Sequence, residues 1–84
     1  MKNKFLIELI VPEIEARYNL FIPVNKKIGN VINLLNKSVN DLSKGLYVGT
    51  SKTCIYNRKT GMRYNVDELV RNTDIKNGTS LILM

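Results

Sequence analysis

The sequence predicts an α+β fold in which a mixed sheet of four to five strands packs on one amphipathic helix. Two β-rich runs around a proline open the chain, within residues 5–22. A single long run of apolar residues at spacings of three and four follows, which is typical of a helix with one buried face. The chain closes on a turn and an alternating apolar strand, within residues 73–84. A helix placed after a hairpin must cross the sheet and bury its apolar stripe there.

The bulk composition predicts one small domain over residues 1–84, large enough to fold unaided. Hydrophobic residues make up 44% of the chain, and no apolar run approaches the ~20 residues of a membrane span, so we expect a soluble protein. The apolar run at residues 5–11 holds Glu8 and is followed by no small-residue cleavage site, which indicates a strand and not a signal peptide. We therefore expect a cytoplasmic protein.

The first two runs, Phe5 to Val11 and Ala16 to Ile22, predict a β-hairpin. They are joined by residues 12–15. This connection opens with a proline, which has no N–H to donate to a strand ladder. The second run alternates, which predicts one face for the core and the other for water. Tyr18, Leu20 and Ile22 lie on one of these faces, and Arg17, Asn19 and Phe21 lie on the other.

The next segment predicts the one long helix, of about 18 residues. Pro23 ends the preceding strand, and Asn25 is the predicted N-cap. Gly29 in the first turn is expected to let the helix approach the sheet closely. Lys26 and Lys27 occupy the first turn, where the helix dipole disfavours cations, so they are candidate binding residues. The apolar stripe consists of Ile28, Val31, Ile32, Leu35, Val39 and Leu42.

The second half of the chain predicts short strands between turns. After a loop that can hold a short edge strand at residues 46–48, the β-branched and aromatic run at residues 53–57 predicts a strand. A turn with Gly61 at positive φ leads to a short strand at residues 62–64.

The last part of the chain predicts a brief turn and a central strand. Asn65 or Asp67 is the expected cap of the turn, which runs through residues 68–70. Asn77-Gly78 is a strong turn signal before the final strand, Leu81 to Met84, which is apolar enough to be central in the sheet.

This order of elements is that of the β-grasp, and three segments resemble the ubiquitin family. Ile28 to Val31 resembles the start of its helix, Ile55 to Gly61 its third strand and turn, and Asp74 to Leu81 its last turn and strand. The resemblance covers Lys4 to Met84. Within the superfamily the chain most resembles the YukD/EsaB-like bacterial group, which is associated with type VII (WXG100/ESX) secretion. The resemblance implies a cytoplasmic accessory protein with a protein partner, such as a membrane or ATPase component of the secretion system.

The residue inventory argues against an enzyme. There is no histidine and one cysteine, Cys54, so the chain can build neither a disulfide nor a zinc site, and Cys54 is predicted to be a small core or sheet residue. No carboxylate is paired with a histidine or nucleophile, and no glycine-rich phosphate loop is present. We expect no catalytic residue, cofactor or metal. The bulky Leu83 and Met84, in place of a flexible diglycine tail, argue against conjugation or sulfur transfer.

Tyrosine and arginine side chains predict a protein-binding face on the side of the sheet away from the helix, because these residue types most often anchor interfaces. Ordinary cross-strand packing is the alternative for each tyrosine. Arg17 or Tyr18 is also expected on this face. The candidate partner-binding residues are Tyr56, Arg58, Lys59, Arg63, Tyr64, Lys26 and Lys27.

The net charge of +6 leaves two further alternatives open. One is solubility alone. The other is a nucleic-acid or anionic-surface binding domain that uses its basic residues for phosphates and its tyrosines for stacking. The oligomeric state is also open, since an edge strand without a neighbour can support dimerisation. The basic set for this alternative is Lys26, Lys27, Lys52, Arg58, Lys59 and Arg63, with Tyr56 and Tyr64 for stacking.

Overall fold

A computed structural model describes residues 3–84 and confirms the α+β architecture, with one helix on one face of a four-stranded mixed sheet. The strand order is β2-β1-β4-β3. The pairs β1/β2 and β3/β4 are antiparallel and β1/β4 is parallel. The elements are β1 (Lys4–Val11), β2 (Ala16–Pro23), α1 (Ile28–Leu42), β3 (Ile55–Asn57) and β4 (Ser80–Leu83), with 3₁₀ turns at Pro12–Ile14 and Val70–Asn72.

The β1/β2 hairpin has the predicted bounds within one residue, and β2 shows the predicted alternation between two faces. Its loop closes by a hydrogen bond from the Glu15 N–H to the Pro12 carbonyl oxygen, 3.0 Å long. On β2, Ile22 is buried, and Tyr18 and Leu20 are half-buried against the core. The alternation therefore sets the orientation of β2, as expected for a strand with one buried face.

The helix forms where its periodicity predicts, but it begins later than the predicted cap. The N-cap is Lys27 and not Asn25, whose side-chain oxygen accepts a hydrogen bond from Arg71 instead. The first helical N–H groups donate to backbone carbonyls of the segment at residues 66–68, at 2.8 and 2.9 Å. These carbonyls satisfy donors that a side-chain cap would otherwise serve, so no local cap is required.

Two other helix predictions need correction. Leu42 is 53% exposed, because the last residue of α1 lies beyond the core that buries the rest of the stripe. Gly29 does not face the sheet. A Cβ atom at Gly29 would lie 3.4 Å from the Val66 carbonyl oxygen, so the close approach is to the segment at residues 66–68. The predicted stripe is otherwise buried, at Ile28, Val31, Ile32, Leu35 and Val39.

The loop between α1 and β3 contains a core residue and no strand. Tyr47 is 3% exposed, and its hydroxyl donates to Asn36 Oδ1 at 2.8 Å. The Asn40 side-chain amide donates to the Tyr47 carbonyl oxygen at 2.8 Å. Both partners lie on α1, so the loop is tied to the helix and the edge strand allowed at residues 46–48 does not form.

The predicted strand at residues 62–64 is reduced to one isolated bridge, between Tyr56 and Arg63. This is why the sheet has four strands within residues 3–84. The turn before the bridge forms as predicted: Gly61 has φ +74°, and Asn57 Oδ1 accepts from two backbone N–H groups of the turn. Cys54 lies at the sheet margin, half-buried, and its N–H donates to the Met84 carbonyl oxygen.

The final strand is central in the sheet, as predicted. Leu81 and Leu83 of β4 are fully buried. The preceding turn joins β1, because Asn77 Oδ1 accepts from the Leu6 N–H and the Gly78 N–H donates to the Leu6 carbonyl oxygen, each at 2.8 Å. Gly78 has φ +88°, which explains the need for glycine. No helix in residues 3–84 has the length and apolarity to cross a membrane.

Candidate functional site

One continuous row of side chains crosses the face of the sheet that points away from α1. The strand registers place Ile10 of β1 beside Ile82 of β4, and Ile82 beside Tyr56 of β3. Arg17 of β2 is paired with Ile10 at one end, and Arg63 is paired with Tyr56 at the other. We call these five residues the sheet-face row. It spans four interstrand steps, about 19 Å.

The sheet-face row has an apolar centre and two cationic ends. Its three central side chains are half-buried, and both arginines are exposed. The Arg17 guanidinium lies 3.7 Å from a Glu8 carboxylate oxygen, and the other Glu8 oxygen accepts from the Ser80 hydroxyl at 2.8 Å. Arg63 has no carboxylate within salt-bridge distance among residues 3–84. This arrangement suits a partner that is apolar in the middle and acidic at its ends.

Sequence reasoning missed the apolar part of this face. Ile10 and Ile82 were assigned to strands without a surface role, as were Leu6 and Phe21, which pair on the same face. Phe21 is 53% exposed, and together with Leu6 and Asn77 it lines a shallow depression of about 540 Å³. The signal was present in β1, since a near-continuous apolar run, unlike an alternating one, puts apolar side chains on both faces of a sheet.

A basic groove adjoins the sheet-face row at the end of β3. Arg58, Lys59 and Lys76 line a depression of about 700 Å³ together with Asp74. The Arg58 N–H donates to the Ser80 carbonyl oxygen at 3.0 Å, which fixes the groove to β4. Three cations against one carboxylate give this groove a positive potential.

Tyr64 does not lie on the exposed face, contrary to the prediction. It follows Arg63 and packs against the core, as Tyr18 does on β2. The Tyr64 hydroxyl donates to Asp74 Oδ1 at 2.6 Å and accepts from the Asn57 side-chain amide at 3.0 Å. Burial, together with the hydrogen bond to Asp74, raises the pKa of Tyr64 to about 12. Tyr64 therefore joins three segments behind the face and supports the geometry of Arg63 and Tyr56.

Replacing Tyr64 by phenylalanine is expected to lower the free energy of unfolding by about 1 kcal/mol at pH 7, because two hydrogen bonds are lost. The raised pKa favours the neutral phenol in the folded state. The stabilisation of the folded state that this raised pKa represents is complete below pH 10, and it is lost as pH rises from about 10 to about 12. Tyr64→Phe should remove that part of the alkaline destabilisation.

Urea unfolding between pH 7 and 12 measures, for Tyr64→Phe, the loss of unfolding free energy at pH 7 and the reduced destabilisation at alkaline pH. Tyr56→Phe is the matched control, since the Tyr56 hydroxyl makes no hydrogen bond within the described residues. It should change the free energy of unfolding at pH 7 by less than about 0.5 kcal/mol. Equal losses for the two variants would contradict the structural role of the Tyr64 hydroxyl.

The remaining predicted basic residues lie on other elements and are not joined to the sheet-face row. Lys26 and Lys27 precede α1, where the Lys26 carbonyl accepts from the Val70 N–H and Lys27 forms a bridge with Leu69. Lys52 lies in the loop before β3. Among residues 3–84, no three His, Cys, Asp or Glu side chains come together to hold a metal ion.

The hairpin, the crossing helix and the central parallel pair of β1 and β4 define a ubiquitin-like β-grasp domain. The chain is similar to the EccD5 ubiquitin-like domain from Mycobacterium xenopi, with a TM-score of 0.78 and 15% identity over 96% of this chain and 92% of that one. It is also similar to the ubiquitin-like domain of the Mycobacterium tuberculosis type VII secretion system protein EccD1, with a TM-score of 0.73 and 8% identity over 95% of this chain and 96% of that one.

A further similar structure is a chain of the MycP5-free ESX-5 inner membrane complex, with a TM-score of 0.72 and 10% identity. The match covers 98% of this chain and 21% of that chain, so the present sequence spans about a fifth of its length. No protein-family model and no curated protein matches the sequence. At these identities the comparisons establish the ubiquitin-like β-grasp fold.

Proposed function

We propose that this chain is a non-catalytic protein-interaction module that binds its partner non-covalently through the sheet-face row. The observation that carries the proposal is the register of the row, which sets Ile10, Ile82 and Tyr56 between Arg17 and Arg63. Tyrosine and arginine are enriched among the residues that anchor interfaces, and here the aliphatic side chains of the row surround them with apolar surface. The partner surface that fits is apolar with carboxylates on both sides.

We further propose that the module is a cytoplasmic accessory component of a bacterial type VII secretion system and binds a membrane or ATPase component of it. Structural similarity to ubiquitin-like domains of EccD proteins supports this proposal. The similar chain of the ESX-5 inner membrane complex also supports this proposal, because that chain belongs to an assembled membrane complex. The sequence resemblance to the YukD/EsaB-like group points in the same direction.

Affinity purification of the tagged protein from its own host, with crosslinking at low and at high salt, tests the proposal. Recovery of secretion-system proteins at both salt concentrations is expected, because the apolar centre of the row is insensitive to screening. A parallel purification of the Ile82→Glu variant shows whether recovery of these proteins depends on the sheet-face row. Recovery of the same proteins by the wild type and by Ile82→Glu would contradict the proposed surface.

The basic groove favours a second candidate function, binding of nucleic acid or another anionic surface. Arg58, Lys59 and Lys76 are the groove residues that would contact phosphates. Three such contacts to a single strand predict a slope of log K against log salt of about −2. A measured slope near zero would exclude this candidate, and a recovery of nucleic acid alone at low salt would replace the first proposal by this one.

A further inference from the structure

The outer edge of β2 has no partner strand within residues 3–84. In antiparallel pairs, alternate residues direct both backbone groups toward the same neighbour. The Glu8 N–H donates to the Thr79 carbonyl oxygen, so even-numbered residues of β1 face β4. Odd-numbered residues of β1 consequently face β2, and they are paired with its even-numbered residues. The backbone groups that point away from the sheet belong to Arg17, Asn19 and Phe21, together with the carbonyl of Pro23 at the end of the strand.

We propose that two copies of this chain associate through their β2 edges, antiparallel and centred on Asn19, to form one continuous eight-stranded sheet from two four-stranded ones. This pairing sets Asn19 opposite Asn19 of the second copy. It also sets Arg17 opposite Phe21 of the second copy, on the same face, so the guanidinium lies over an aromatic ring. On the core side, Tyr18 lies opposite Leu20 of the second copy.

The proline at one end of the edge and the turn residue at the other favour this register over its neighbours. With Asn19 at the centre, every N–H and C=O of the three outward-pointing residues finds a partner. A shift by two residues in one direction sets Arg17 opposite Pro23, which has no N–H, and leaves the Arg17 carbonyl without a donor. A shift in the other direction sets Phe21 opposite Glu15, whose N–H already donates to Pro12. The register centred on Asn19 therefore pairs Arg17, Asn19 and Phe21 in full and keeps Pro23 out of the ladder.

Sequence features that usually protect an edge are confined to the ends of this one. Charged residues, prolines and bulges block edge pairing in many proteins. Here Pro23 ends the strand, and Arg17 is the one charged residue of β2. The middle of the edge carries Asn19 and the exposed ring of Phe21. Because the charge of Arg17 falls opposite Phe21 and not opposite itself, the antiparallel register avoids a like-charge contact.

The association is weak and strengthened by salt. One pair of strands buries less than the roughly 1,200 Å² of a standard stable interface, so the dimer forms at high protein concentration or where copies are held close together. Each copy carries a net charge of +6, and salt screens the repulsion between the copies. The proposal does not depend on the proposed function. In the dimer, the sheet-face row of one copy continues onto Phe21 and Leu6 of the other.

Disulfide trapping tests the register directly. Cys54 is first replaced by serine, and Asn19→Cys is then oxidised mildly at about 1 mM protein. In the proposed dimer, the two Cα atoms at position 19 lie about 5.5 Å apart, within disulfide range. Arg17→Cys is the matched control, because its two copies lie four residues out of register, about 14 Å apart. Covalent dimer is expected for Asn19→Cys and not for Arg17→Cys.

Equal trapping of both cysteine variants, or none of Asn19→Cys, would overturn the register. Sedimentation of two charge variants tests the dimer without any crosslink. Phe21→Lys places a cation opposite Arg17 and should raise the dimer Kd at least several-fold. Phe21→Glu places a carboxylate there and should leave the Kd unchanged or lower it. Circular dichroism checks that both variants are folded. Changes of Kd in the same direction, or a wild type that stays monomeric at 1 mM and high salt, would contradict the proposal.

Discussion

Replacing Leu35 by alanine is expected to lower the free energy of unfolding by about 2–5 kcal/mol. Leu35 lies on the buried face of α1 and is 3% exposed. Truncation removes apolar surface from the core and leaves a cavity between α1 and the sheet, and both effects destabilise the native state. A small domain has a total stability of only about 5–15 kcal/mol, so this one substitution removes a large share of it.

Chemical unfolding of Leu35→Ala and Leu34→Ala gives the cleanest comparison. Leu34 is the same residue type one position earlier in α1, but it is 49% exposed. Its truncation should cost less than about 1 kcal/mol. In thermal unfolding, Leu35→Ala should lower Tm by roughly 10 °C or more, since 1 kcal/mol corresponds to about 4–8 °C in a domain of this size. Similar losses for the two variants would contradict the orientation of α1.

The helix shows which parts of the fold the sequence can predict. The spacing of Val31, Leu35 and Val39 is a local property, and local periodicity identified their buried face. The start of α1 is different, because its first N–H groups are satisfied by carbonyls nearly forty residues away in the sequence. A cap of this kind has no local signature. Asn25 was predicted on residue preference, and a tertiary contact replaced it.

The binding face was predictable only in part, for a related reason. Alternation along β2 separates Arg17 from Tyr18 but leaves open which of the two lies on the outer face, and the fold places Arg17 there. Which face of the sheet Tyr64 lies on is decided by the single bridge between Tyr56 and Arg63. A one-residue change in that pairing would move each side chain of the segment to the opposite face. Ile10 and Ile82 acquire a surface role only when the parallel pairing of β1 and β4 brings them together. Pairing between distant segments is a property of the whole fold.

Replacing Ile82 by glutamate is expected to weaken partner binding at least tenfold while leaving the domain folded. Ile82 is the middle residue of the sheet-face row, in contact range of Ile10 and Tyr56 on either side. The bound partner would remove water from a carboxylate at this position, and no cation lies beside it to compensate. Burying an unpaired charge costs binding free energy. Leu34→Glu is the control, because Leu34 lies on the helix, on the other side of the sheet.

Alanine variants at the two ends of the row show whether one partner spans it. Arg17 and Arg63 lie about 19 Å apart, far enough for their effects to be independent. If one acidic partner contacts both, each single variant lowers the affinity, and the double variant lowers it by the sum of the two free energies. If the partner contacts one end only, one variant has no effect and the double variant matches the other. Isothermal titration with the purified partner distinguishes the two outcomes, and no effect at either end would remove the arginines from the site.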